Sequence, residues 1–131
     1  TNGCGKILLV QEYHNYPNHE TVYEIPIWSM KYIPLEYYPM SVDEVDYVVV
    51  LSYNFKEYDD GFYLSGTVPL QEYATIYIYS VRDSAKIWTS SVIDGPLPES
   101  FSYSNEAPEY HSGGSPDVET AFIEAMEFIM K

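Results

Sequence analysis

The sequence predicts an α+β domain, a mainly antiparallel β-sheet with a C-terminal α-helix packed on one face. Three observations carry that expectation. From Val45 to Ile93 apolar residues alternate, and Tyr or Val fills most of the remaining strand positions, which is the period of 2 of a half-buried strand. Asp59-Asp60-Gly61 and Asp83-Ser84-Ala85-Lys86 break that stretch with turn chemistry. After Ser115 the period becomes helical, with Val118, Ala121, Phe122, Ala125 and Ile129 in one stripe that Ile123, Met126, Phe128 and Met130 widen. The nearest alternative is an all-β sandwich with an edge helix.

The elements follow in chain order. Lys6 to Tyr13, led by Ile7, Leu8, Leu9 and Val10, reads as a strand, and Thr21 to Trp28 as a second with Tyr23, Ile25 and Ile27 on one face. The polar loop His14-Asn15-Tyr16-Pro17-Asn18-His19 joins them as a long-looped hairpin. Pro26 has no N–H, which places the second strand at an edge or ends it early. Lys31 to Met40, broken by Pro34 and Pro39, reads as an irregular arm laid across the sheet. Ser41-Val42-Asp43-Glu44 matches the S-x-x-E capping box and predicts one helical turn. Val45, Tyr47, Val49, Leu51, Tyr53 and Phe55 then share one strand face. Asp60-Gly61 predicts a tight turn, and Phe62 to Val68 a short strand that Pro69 ends. Ala74 to Arg82 and Lys86 to Ile93 form the clearest hairpin, pairing through Asp83 to Ala85, and Asp94-Gly95-Pro96-Leu97-Pro98 closes it. Phe101 to Gly114 reads as a loop. Ser115 is expected to cap the final helix, with Pro116 in its first turn and Asp117 and Glu119 complementing its dipole.

A chain of 131 residues with 46% hydrophobic residues fits a single globular domain, residues 1–131, that buries roughly two-thirds of its unfolded surface. Twenty Asp and Glu against six Lys and Arg give a formal charge of −14. Such a surface repels nucleic acid and anionic lipid, whose binding depends on Lys and Arg neutralising phosphates. The six cations are scattered, so nucleic-acid binding is rejected, and like-charge repulsion favours a monomer. The longest apolar runs, Ile7 to Val10 and Val48 to Leu51, are too short to span a bilayer, so no direct membrane insertion is expected. Thr1 opens without a basic or hydrophobic leader region, so no signal peptide is expected. Cys4 is the only cysteine, which excludes an internal disulfide. Thr1-Asn2-Gly3-Cys4 is similar to a lipoprotein processing site, but Thr1 stands where Leu is usual, and an ordinary thiol is the preferred reading.

The residues that could carry chemistry do not assemble into a known signature. His14 and His19, beside Glu12 and Glu20, offer H-x4-H in a loop, and a distant His111 would have to complete a metal site, so no metal and no cofactor is expected. Asp43-Glu44-Asp46 and Asp59-Asp60 lie where cap and turn geometry alone place acids, and D-x-D-x-D-G calcium spacing is absent. There is no G-x-S-x-G, and Cys4 has no neighbour to lower its pKa. Gly113-Gly114-Ser115 has no cation beside it to hold a phosphate, and Asp117 and Glu119 would repel one. Tyr is the compositional anomaly, with 15 residues against 5 Phe and 2 Trp. Tyr77 and Tyr79 share a strand face and Trp88 lies on the partner strand, so these three are the first candidates for a binding surface, with Tyr37 and Tyr38 second. Packing beneath the helix or the arm is the competing reading of the same rings.

Ser41-Val42-Asp43-Glu44-Val45 leading into a Val-rich strand, then Tyr58-Asp59-Asp60-Gly61, a hairpin ending Ile87-Trp88 and Asp94-Gly95-Pro96-Leu97-Pro98, resembles uncharacterised domains of bacterial exported or envelope-associated proteins. The resemblance covers Met40 to Pro98, transfers no catalytic residue, and implies an extracytoplasmic setting. The functional expectation is a non-catalytic accessory or interaction domain that binds a protein or glycan partner. The alternative is a small hydrolase or metal-dependent protein using the His14/His19 loop.

Overall fold

A computed structural model describes residues 5–57, 67–97 and 109–130. They form one sheet and one α-helix. The strands are β1 (Lys6–His14), β2 (Thr21–Glu24), β3 (Val45–Glu57), β4 (Thr67–Ser80), β5 (Ala85–Thr89), β6 (Ile93–Asp94) and β7 (Glu109–Ser112), and the helix is α1 (Glu119–Met130). The main order is β2-β1-β3-β4-β5, with β6 and β7 also paired to β4. Most pairs are antiparallel, but β1–β3 and β4–β7 are parallel, so the sheet is mixed. β4 is its spine: β3 follows one side, and β7, β6 and β5 share the other in turn.

The alternation of β3 and β4 sorts their side chains. Val49, Leu51, Ala74, Ile76 and Ile78 are fully buried on the face that α1 covers. Val118, just before α1, and Phe122, Ala125, Met126 and Ile129 from it meet them in one core cluster with Ile7, Leu9 and Ile33. That stripe is the one written in the sequence at helical spacing. The arm between β2 and β3 closes the core beside β1 through short 3₁₀ turns at Ile27–Tyr32 and Leu35–Tyr37. Tyr32 meets Phe122 edge to face at 5.6 Å, and Ile33 is buried.

Several expectations needed correction. Pro69 does not end a strand: β4 begins at Thr67 and runs through it. Proline is tolerated there because the β3 pairing stops at Leu70 and Pro69 lies opposite β7. The second strand of the clearest hairpin stops at Thr89, and Ile93–Asp94 re-pairs with Tyr73 and Ala74 as β6. Its turn is Val81 to Ser84, with Ser80 opposite Ala85. Ser115 does not cap α1; its hydroxyl donates to Glu72, while Asp117 accepts the Glu119 N–H at 3.1 Å. The stretch expected to be loop from Phe101 to Gly114 contains β7.

Other expectations hold in form. β1 and β2 make the long-looped hairpin, and β2, an edge strand, ends at Glu24, two residues before Pro26. Ser41–Glu44 makes the one turn expected, a 3₁₀ turn at Val42–Glu44, but not the capping box: Ser41 makes no side-chain cap hydrogen bond, and Glu44 accepts the Met40 N–H at 2.6 Å. Gly113 abuts the Pro96 and Leu97 carbonyls and Gly95 abuts that of Glu72, so both are glycines of close approach. Cys4, the Asp59-Asp60-Gly61 turn, Phe62 to Gly66 and the side chain of His111 lie outside the described residues.

Candidate functional site

The sheet face opposite α1 collects the polar and tyrosine side chains. Register places Tyr23, Glu12, Ser52 and Thr75 in one row across β2, β1, β3 and β4. Val10, Val50, Tyr77 and Thr89 make the next row, and Leu8, Val48, Tyr79 and Lys86 the one beyond. Among the described residues no helix packs on this face. Tyr23 is 65% and Tyr79 36% exposed. Tyr77 is half-buried with the Lys86 ammonium 4.3 Å from its ring centre, and Lys56 stands 5.4 Å from the ring of Tyr73. Each contact is a cation on a negative π face, worth about 0.5–1 kcal/mol where exposed. Burial, then the charges of Glu12 and Tyr23, raise the Tyr77 hydroxyl above its ordinary pKa, so these groups sit within electrostatic reach of one another.

The binding residues expected from sequence are divided by the fold. Tyr77 and Tyr79 share the face opposite α1. Trp88 lies opposite Ile78, on the helix side, and its ring meets Phe128 of α1 at 6.4 Å. A register shift between Ile78 and Tyr79 separates Trp88 from the two tyrosines, and a shift of one residue exchanges faces. Tyr37 and Tyr38 pack against the core from the arm, and the Tyr38 hydroxyl donates to the Met30 carbonyl at 3.0 Å. Tyr23 joins the exposed rings instead; the alternation around Pro26 was its only signal.

A polar chain crosses the same face. Ser52 donates to Glu12 Oε1 at 2.9 Å, His14 Nε2 meets that oxygen at 2.7 Å, and His14 Nδ1 lies 3.0 Å from Thr21 Oγ1. Strand geometry brings these groups together, since Glu12 and His14 are two apart and Thr21 is the cross-strand partner of His14. His19 stays outside it, at φ 60° with its ring against Tyr16. The cleft beside this hairpin, about 310 Å3, is lined by Gln11, Tyr13, Asn15, Val22 and Glu24. Those strand residues belong to the other face, so the cleft does not open onto His14. Among the described residues no three His, Cys, Asp or Glu side chains converge as metal ligands.

On the helix side sequence reading missed a second polar group. Glu72 continues the inward parity of Ala74, Ile76 and Ile78 and is only 2% exposed. Ser115 donates to its carboxylate at 3.2 and 3.3 Å and Tyr13 at 3.5 Å. Burial raises the Glu72 pKa, and the two hydroxyl donors oppose that rise. Tyr53, stacked on Tyr13 at 5.8 Å, is pushed up to about 12 by burial first and then by Glu72 and Tyr13. A buried acid between hydroxyls is an acid–base candidate only with a substrate beside it. Here both hydroxyls belong to the protein and tie β1 and the approach to α1 onto β4.

Comparison with protein-family models, with curated proteins and with solved structures finds no match for this chain.

Proposed function

We propose that this chain is a non-catalytic interaction domain of an extracytoplasmic protein, and that it binds a protein partner through the tyrosine face. One observation carries the reading: Tyr23 and Tyr79 are exposed, with Tyr77 between their rows, on a sheet face that no described helix covers. Tyrosine supplies large, rigid contact area with a polar tip, which suits a transient interface. A protein is favoured over a glycan because sugars stack on free ring faces, and Lys86 and Lys56 already stand over Tyr77 and Tyr73. The net charge of −14 directs such a surface toward cationic partners. The acidic, tyrosine-rich composition and the resemblance of Met40 to Pro98 to exported domains support the extracytoplasmic setting, and a monomer is part of the same proposal.

The test is a Tyr23→Ala/Tyr79→Ala double variant, compared with the parent in pull-down and on a glycan array. Both rings are exposed, so the fold should be unchanged by circular dichroism while the captured partner is lost. Retention of every partner by the double variant rejects the tyrosine face.

A second reading, a small hydrolase using the histidine loop, draws on one contact set. Thr21, His14 and Glu12 align hydroxyl, imidazole and carboxylate at 3.0 and 2.7 Å, the order of groups in a nucleophile–base–acid relay. Turnover of an activated ester that disappears in both His14→Ala and Thr21→Val would establish it. An equal rate in the parent and both variants removes it.

A further inference from the structure

We infer that the cavity between β1 and the arm is a binding site for one small, uncharged, apolar molecule, a benzene-sized ring with at most a short alkyl group. The cavity shares no residue with the tyrosine face or with the Thr21–His14–Glu12 set, so those readings and this one fail separately.

The space follows from the way β2 ends. Its last pair with β1 is Glu24 with Gln11, and from Ile25 onward the arm takes its place beside Ile7 and Leu9. A paired strand would lie about 4.8 Å from β1 and leave no gap. An arm of short 3₁₀ turns approaches through its side chains instead. Between the two remain about 180 Å3, walled by Ile7 and Leu9 from β1 and by Ile25, Met30, Ile33 and Tyr38 from the arm. Protein interiors rarely leave a void larger than a water molecule, so a space of this size is set up for an occupant.

The lining selects what can enter. Tyr38 is the one polar side chain in it, and its hydroxyl is spent on the Met30 carbonyl at 3.0 Å. That carbonyl also accepts the Ile33 N–H at 3.1 Å, which fills both of its lone pairs. No lining side chain carries a charge. Water needs several polar partners and finds none free among these side chains, and a charged ligand would enter unpaired. Volume then sets the size. An apolar cavity of ~150 Å3 stays dry and takes benzene, so this one accepts a single ring with room for a methyl group. Fused rings and long acyl chains exceed it.

Entry is at Ile25, which is 60% exposed and lies past the last β1–β2 pair. The two walls differ in stiffness. β1 is paired with β3 from Ile7 to Tyr13, whereas Met30 brings an unbranched, half-buried side chain that reshapes readily around a guest. The arm side chains therefore adjust to a ligand and the sheet does not.

The probe is toluene, titrated into the full chain and followed by NMR, with benzoate and naphthalene as controls. Binding should saturate and give NOEs from the toluene ring to the Ile7, Leu9 and Ile33 methyl groups. Benzoate, which adds a charge, and naphthalene, which adds a ring, should each bind at least about tenfold more weakly. Met30→Phe places a ring in the space and should weaken toluene about tenfold while circular dichroism stays unchanged. The Tyr23→Ala/Tyr79→Ala variant should bind toluene like the parent. Absent saturation, NOEs only to residues elsewhere, or either control binding as tightly as toluene overturns the site. Full affinity in a folded Met30→Phe variant, or loss of toluene binding in the folded tyrosine variant, overturns it too. Where Met30→Phe fails to fold, the NOEs in the parent decide alone.

Discussion

Replacing Glu72 by Gln tests the account of the core's polar end. The carboxyl is 2% exposed, and its donors are Ser115 at 3.2 and 3.3 Å and Tyr13 at 3.5 Å. Burial outweighs those bonds, so the folded-state pKa lies above the ordinary carboxylate value of about 4.3. The folded protein therefore holds the proton more tightly than the unfolded chain. Its stabilising effect is complete below the ordinary value and is lost as pH rises through the raised one. Gln is neutral and isosteric, and its carbonyl can accept from both hydroxyls, so Glu72→Gln should gain on the order of 1 kcal/mol at pH 8 and nothing at pH 4. Urea unfolding of both proteins at a series of pH values measures this through the midpoint at constant slope. A pH-independent difference, or a loss of more than about 1 kcal/mol at pH 8, would falsify the claim that burial dominates.

Two further outcomes concern the same core. Tyr53, pushed up to about 12, should stay protonated while exposed tyrosines ionise, giving a late step in the ultraviolet titration of the folded protein. Its stabilising effect is present below about pH 10 and is lost as pH rises toward 12, so a titration without that late step counts against its burial. Phe122→Ala removes a fully buried ring shared by α1, the sheet and Tyr32, and should cost about 3–5 kcal/mol in chemical denaturation. A loss below about 1 kcal/mol would mean that α1 is not seated as described.

Local chemistry fixed a large share of this fold in the sequence. The alternation in β3 and β4, the turn before Ala85, the stripe of α1 and the proline that stops β2 are each written in residues a few positions apart, where sterics and periodicity act directly. The tyrosine pair Tyr77 and Tyr79 was legible for the same reason: i and i+2 share a face of any strand. What lay beyond reach depends on partners distant in sequence. Pairing of β1 with β3 brings Glu12 to Ser52, and the parity of β4 carries Glu72 under Ser115, forty-three residues away. A register shift at Ile78 sends Trp88 to the helix and leaves Tyr77 and Tyr79 on the other side. No period in the chain encodes which side of a two-sided sheet α1 will cover. Nor does any local pattern show that β1 outruns its neighbour β2, because the extent of a pairing exists only once every strand has found its place.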